Sequence, residues 1–505
     1  MNKKKQPAPF FVKKKLKFIL LNILLVGSIT SLWSRQQETE LERHVRRKNY
    51  AKVEKNSHKK IPHTTKPNTT QAQDNKKEWT VLVYVQANNN LSSFALRNFT
   101  DMALVGSNEK LNILIQWYQP HHKGVWRYRV EQGKMILDSS IATETDGNSS
   151  EDLTDAMRWA VTSYPAHKNG LILWDHGIGI LDPVWGNKKQ PWLGREAFDL
   201  TIDSEILAGN PRIQIEGLTI SKMNELNLKN DLLTTNTAIP SSLIHRGILF
   251  NERSKTYMDN FSLTAALKNI KENVLDNKKI DLLGMDACLM AMIEVGYLAR
   301  DYASILVSSQ EVELAHGWPY QSFFLPLATK QVSPQEVAEN LVTSFGDYYK
   351  NKIQFYTQSA IDLDQMDLVK DSINQVVSAY QACKQKHSAS ILDMAKRARS
   401  TCQQFSIATY IDLCSYFQEL YTNATNAGSA SLRQSKELHI LKQSLQLAIA
   451  AVKQSVFANT AGTKHPRAQG LSVYFPQGRI DRSYPVTDFA KDCLWHDFIR
   501  EVNGH

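Results

Sequence analysis

A histidine and a cysteine lie 112 positions apart, and each follows an apolar run of strand type. The first run is Gly170-Leu171-Ile172-Leu173-Trp174-Asp175-His176-Gly177, and the second is Ile280-Asp281-Leu282-Leu283-Gly284-Met285-Asp286-Ala287-Cys288-Leu289. In a mostly parallel α/β sheet, reactive groups gather just beyond the carboxyl ends of strands. Two neighbouring strands ending in this way bring His176 and Cys288 together at one rim. An imidazole beside a thiol can generate or hold the thiolate, a nucleophile suited to acyl carbons. Gly177 lets backbone approach a reacting group closely. Its N–H and that of Cys288 could together hold a developing oxyanion. The spacing also predicts that Cys288 opens a helix, whose dipole would favour a thiolate. A lone cysteine among apolar residues is more often a small buried hydrophobe, and a lone histidine beside Trp174 and Asp175 more often a hydrogen-bonded structural group. Their joint placement turns the reading towards catalysis.

The elements needed to position this pair can be read outward from it. Thr80 to Val85 is a β-rich run ending in the turn cluster Gln86-Ala87-Asn88-Asn89-Asn90. Helical periodicity over 94–105 and an apolar strand over 111–117 complete a βαβ unit. Residues 126–130 and 135–141 predict an edge hairpin, and 151–164 a helix closed by Pro165. Residues 261–274 read as the helix before the cysteine strand, 289–299 as the helix after it, and 304–308 as a further short strand. From 366 to 457 the pattern is mainly helical, and 470–476 is a late strand. Between the two motif strands, residues 177–255 form a long, irregular insertion, with Lys or Arg at nine positions, of the sort that is usually functional or mobile. The expected organisation is a basic N-terminus over 1–34, a disordered polar linker over 35–78, a catalytic α/β domain over 79–365 and a mainly helical region over 366–505.

Composition narrows the function classes. Of 505 residues, 42% are hydrophobic and 22% charged, sufficient for a substantial core. The net charge is +10, but residues 1–78 hold 19 Lys/Arg against 6 Asp/Glu, which leaves 41 against 44 in the remainder. Basicity therefore belongs to the N-terminal arm, and nothing marks the body as a nucleic-acid binder. The five cysteines are too few and scattered for a disulfide framework, and no Cys-x-x-Cys or His-x-x-x-His pair suggests zinc. Lysines at 3–5, 13–15 and 17 precede an apolar run over 18–33. An uncleaved signal anchor, a cleaved signal peptide and a cytosolic protein are the three readings, taken in that order. The lysines favour a cytoplasmic N-terminus, with the bulk of the protein exported. If uncleaved, residues 18–33 make the membrane a partner.

Beyond these local readings the chain resembles the clostripain-like cysteine peptidases, relatives of the caspase, legumain and gingipain clan. The resemblance rests on Trp174-Asp175-His176-Gly177, Asp286-Ala287-Cys288-Leu289-Met290, Ser309-Gln310-Glu311 with Gly317-Trp318-Pro319-Tyr320, Gly470 to Pro476 and the opening stretch Trp79 to Asn90. It implies a caspase-like three-layer α/β sandwich with an extended, mostly parallel sheet and a helical C-terminal part. It also implies a His176–Cys288 dyad, an oxyanion hole from Gly177 and Cys288, and cleavage of protein or peptide substrates after Arg or Lys. Asp286 would then charge the primary specificity pocket; the alternative is a structural acid capping the next helix. His316, two residues before Trp318, stands where some relatives place an acid lining that pocket, a departure bearing on the strictness of the basic preference. Some relatives need calcium, but no Asp-x-Asp-x-Asp-Gly loop is present, so no metal or cofactor site is assigned. Self-processing is expected within the insertion between the two motifs.

Two other classes compete with a peptidase. One is a catalytically silent, membrane-tethered protein-binding module on the same scaffold, since fold does not guarantee function. The other, a nucleotide-binding enzyme, draws only on Gly177-Ile178-Gly179 and fails because Asp182 stands where the third glycine of that fingerprint belongs.

Overall fold

Strand β1 (Lys77–Gln86) is buried from Trp79 onward on both sides, as expected of a parallel strand covered on two faces. Its alternate residues enter two cores. Leu82 and Tyr84 join one cluster, and Val81, Val83 and Val85 join the other. The same division runs through β5 (Ala166–Trp174) and β9 (Leu282–Asp286), so the sheet is the middle layer of three. This computed structural model describes residues 76–119, 124–142, 145–181, 213–217 and 247–504. The chain divides into two units, Met1–Gln71 and Ala72–His505. The first unit lies outside the described residues, and with it the apolar run at 18–33 and nearly all of the expected linker. Residues 182–212 and 218–246, the greater part of the expected insertion, lie outside them too. No helix among the described residues is long and apolar enough to cross a membrane.

Ten strands among the described residues form one sheet, in the order β13 (Val456–Ala461), β11 (Thr357–Asp362), β10 (Ile305–Ser308), β9, β5, β1, β2 (Leu111–Tyr118), β3 (Val125–Glu131), β4 (Lys134–Ile141) and β6 (Gln214–Ile215). Five central strands are parallel: β10, β9, β5, β1 and β2. The predicted hairpin, β3 and β4, is antiparallel, and β6 adds to its outer edge. At the other end, β11 and β13 run antiparallel. Chain order reverses direction at β1: β2 lies on one side of it, and β5, β9 and β10 on the other. Loops leaving β1 and β5 therefore part company at this point, which opens the crevice where α/β sheets bind ligands.

Helices α1 (Ser92–Ala103), α5 (Tyr320–Thr329) and α6 (Pro334–Tyr349) cover one face through Phe99, Met102, Phe323, Phe324 and Leu341. On the other face lie α2 (Ser150–Ser163), α3 (Asn260–Asn273) and α4 (Ile293–Ala299), joined by the long C-terminal helices α7 (Met366–Thr401), α8 (Leu413–Thr425) and α10 (Lys436–Ser455). The C-terminal region is thus mainly helical, but it also contributes β13 to the main sheet. Its late strand, β14 (Ser472–Tyr474), pairs instead with β12 (Tyr410–Asp412) in a separate two-stranded sheet.

One expectation is corrected. The helix predicted to start at Leu289 begins at Ile293, and Cys288 does not open it. Leu289 has a left-handed backbone, with φ of 65°. Its N–H donates to Glu311 O at 3.1 Å, and that of Ala291 to Ser309 O at 2.9 Å. These amides extend the pairing of the chain beyond β9 and β10, so they are spent before a helix can form.

Candidate active site

The geometry of the site follows from strand register. β5 and β9 pair in parallel with Gly170 opposite Leu282 and Trp174 opposite Asp286. Asp175 N–H continues the ladder, donating to Asp286 O at 3.3 Å. His176 and Cys288 are each two residues past the last register pair. Both line a cleft of about 410 Å³ together with Leu91, Asp175, Asp286 and Glu313. All five cysteines are buried and unbridged, Cys288 among them.

The loop after β1 braces the histidine. His176 Nε2 is 2.7 Å from Asn90 Oδ1. An amide oxygen only accepts, so this contact puts the imidazole proton on Nε2 and leaves Nδ1 with the lone pair. The neighbouring Asn89 Nδ2 donates to Asp175 Oδ1 at 2.6 Å and to Phe250 O at 3.0 Å. Turn residues that read only as a strand end are therefore the supports of the Asp175-His176 corner. Their polarity was visible in sequence; their partner was not.

The thiol environment differs from the helix terminus expected. Cys288 Sγ accepts from Glu313 N–H at 3.2 Å and lies 3.6 Å from Glu313 O. Burial pushes the thiol up to about 12; the N–H groups of Glu313 and Gly177 oppose that rise, while the Glu313 and Glu311 carboxylates add to it. Gly177 N–H thus faces the sulfur without help from a dipole. A Cβ at Gly177 would stand 2.7 Å from Cys288 O and 3.0 Å from the Met290 side chain. Only a glycine allows the two loops this contact.

Below the pair the cleft is acidic. Asp286 is 5% exposed and accepts from Tyr320 Oη at 2.7 Å and from Trp318 N–H at 3.3 Å. It caps the turn before α5, not the helix that follows Cys288. Glu313 is 7% exposed and accepts from Trp318 Nε1 at 2.8 Å and from Gln358 Nε2 at 3.2 Å. Burial raises both carboxyls, and the charge of Asp286 raises Glu313 further. Two carboxylates in one dry wall, without a cation, resist ionising together. Gly317, at φ 63°, lets its turn lie against Asp286; a Cβ there would be 2.7 Å from Oδ2.

His316 and Trp318 are not among the residues lining the cleft. The His316 ring packs edge-on against Phe94 at 5.5 Å, and burial, with Arg97 and Lys352 nearby, pushes its pKa down to about 3. It is a neutral packing residue outside the cleft. Trp318 lies beneath the cleft with its ring over Gly284 of β9, where a Cβ would come within 2.6 Å. Its contribution is to hold Glu313 and Asp286. Glu313 itself is the residue that sequence reading passed over. Its one signal was the acidic pair Glu311-x-Glu313 just past an apolar strand end, a pattern also met at Asp286. No group of three or more His, Cys, Asp or Glu side chains among the described residues is placed to hold a metal ion.

Comparison with known proteins gives a family and a fold. The model of the clostripain family, peptidase family C11, matches residues 83–199 and 240–501. A solved structure of a secreted C11 cysteine protease from Bacteroides thetaiotaomicron, in complex with an irreversible peptide inhibitor, is similar in fold. Its TM-score is 0.53 at 15% identity, covering 83% of this chain and 99% of that one. Another structure of a secreted C11 cysteine protease from the same organism gives a TM-score of 0.51 at 15% identity over the same shares. No curated protein matches the chain.

Proposed function

The chain belongs to the clostripain family and is a cysteine-type peptidase, and from that premise we propose that it is an exported endopeptidase using a His176–Cys288 dyad to cleave after Arg or Lys. The observation that carries the proposal is the cleft in which His176 and Cys288 share a wall with Asp175, Asp286 and Glu313. Three carboxyl groups beside a nucleophile suit a substrate side chain that brings a positive charge. A guanidinium or ammonium entering there supplies the counter-charge that both buried acids lack.

In the proposed cycle His176 Nδ1 takes the Cys288 proton as the sulfur attacks the scissile carbonyl carbon. The oxyanion is held by the N–H groups of Gly177 and Cys288. As the C–N bond breaks, the imidazolium returns its proton to the leaving amine. Water, deprotonated by the same imidazole, then releases the acyl group from sulfur. A thiol kept neutral by burial suits this order, because the proton leaves during attack and not before it.

Export is supported by the lysine-flanked apolar run at 18–33 and by the secreted neighbour. Self-processing is supported by the length of the insertion at 177–255 between the two motifs and by the nine Lys/Arg positions it offers for cleavage. The test is to incubate the full chain, beside Cys288→Ala, with a peptide library varied at the residue before the scissile bond. Cleavage by wild type after Arg and Lys alone is the expected result. A folded wild type that neither cleaves nor is labelled by a thiol-directed peptidyl electrophile would leave the silent binding scaffold as the reading. On gels, wild type should appear as two fragments and Cys288→Ala as one; identical fragmentation removes self-processing.

A further inference from the structure

A second recess, about 360 Å³ with the open solvent at its mouth included, lies beside the segments that follow His176 and Cys288, with walls from Ile180, Phe261, Thr264, Glu294, Leu298 and Val486 among others. Three features set it apart from a packing gap. Glu294 is 1% exposed, and its Oε2 has no hydrogen-bond partner. Its Oε1 is already used, accepting from Tyr474 N–H at 2.9 Å and Tyr484 Oη at 3.1 Å. A buried carboxyl oxygen left unpaired is costly, and such groups in native proteins usually mark a missing partner. The apolar side of the remaining wall is Ile180, Leu298, Val486 and Phe261, the last 57% exposed, and it faces polar groups that include the exposed Asp488. A recess with an apolar side and a single buried acid can seat a small ligand that carries one charge.

We propose that this cavity is a second binding site, for a small amphipathic cation: an ammonium or guanidinium head on a short hydrocarbon body. The head donates to Glu294, and the body covers Leu298, Val486 and Phe261. The position of the cavity gives such a ligand a route to the active site. Ile180 lies four residues past His176, and Glu294 six past Cys288. The two loops already touch there: Ile180 N–H donates to Met292 Sδ at 3.4 Å, and Asn260 Nδ2 to Ile180 O at 2.6 Å. A ligand bridging Ile180 and Glu294 ties both catalytic loops together. The effect on turnover rests on the proposed dyad; the binding itself does not.

The probe is n-butylammonium, titrated against the full chain by calorimetry, with Glu294→Gln, Thr264→Trp and Asp286→Asn in parallel. Because the acidic cleft can take the same amine, wild type should bind saturably at both places, and Asp286→Asn, with the cleft weakened, should still bind one equivalent. Glu294→Gln should weaken binding at the recess about tenfold or more, the loss of a charge-assisted hydrogen bond. Thr264→Trp fills the recess without touching the acid and should also remove binding there, which keeps the test valid if Glu294→Gln fails to fold. Binding lost in Asp286→Asn but kept in Glu294→Gln would place the amine in the cleft and overturn the proposal, as would absence of saturable binding to wild type. Failure of the peptidase reading would show separately, as binding without turnover.

Discussion

Trp174 and Asp286 stand opposite one another at the ends of two parallel strands, and this register is what makes His176 and Cys288 neighbours. A slip of one residue would send every side chain of one strand to the opposite face. Burial of Leu171 and Leu173 in one core, and of Ile172 and Trp174 in the other, prevents that slip. The juxtaposition of His176 and Cys288 is thus held by apolar burial in the two cores on either side of the sheet.

Removing either partner should abolish turnover without unfolding the protein. Cys288→Ala and His176→Ala are expected to lower kcat by roughly four orders of magnitude or more, with thermal midpoints close to wild type. Asn90→Ala removes only the acceptor for His176 Nε2–H, so a loss of up to about tenfold in kcat, with KM little changed, is expected. Steady-state kinetics on an arginyl peptide separates the cases. Full activity in Asn90→Ala would show that the imidazole is oriented by something else.

Gly177→Ala tests the close approach of the two loops. The added methyl meets Cys288 O at 2.7 Å, and backbone cannot move aside as a side-chain end can. A stability loss of about 1–3 kcal/mol is expected from overpacking, with a larger proportional fall in kcat because the Gly177 N–H is displaced. Urea unfolding and kinetics on the same sample check both. An alanine variant of unchanged activity would exclude Gly177 N–H from the oxyanion hole.

The acidic floor predicts a charge-specific defect. Glu313→Gln keeps the shape and the contact with Trp318 but removes one acid. It should lower kcat/KM for arginyl and lysyl peptides about tenfold to a hundredfold, while the rate on a neutral residue at the same position is unchanged or improved. An equal fall on all substrates would assign Glu313 to the Cys288 loop, through its backbone N–H, and not to selectivity.

Buried acids outside the cleft set the pH dependence of stability. Burial pushes Asp412 up to about 6 and Glu294 up to about 7, against an ordinary carboxylate value of about 4. Across that window the native state retains protons that the unfolded chain has released, so stability falls as pH rises. The protonated forms contribute fully below about 4, and the contribution is lost as pH passes through about 6 and then about 7. Urea midpoints measured from acid to neutral pH should decline, and Glu294→Gln should flatten the upper part of the curve. A midpoint that climbs through this range in wild type would show that these carboxyls are ionised in the folded protein.

The linear chain carries the alternation of β1, β5 and β9, the helices between them, and the placement of His176 and Cys288 just past two strand ends. These are local patterns, set by which side chains avoid water, and they persist whatever the rest of the chain does. The family could also be read there, because Trp174 to Gly177 and Asp286 to Met290 are contiguous motifs. Only the folded chain decides that Glu313 joins Asp286 in one wall, that His316 turns aside onto Phe94, and that Asn90 braces the imidazole. It also decides that the segment after Cys288 pairs with 309–311 and delays its helix to Ile293. Each of these depends on contacts between segments remote in sequence, whose backbone amides and carboxyls have several possible partners. The choice among partners is made by packing, through β-sheet register and the space left by Gly177, Gly284 and Gly317, and no local pattern records it.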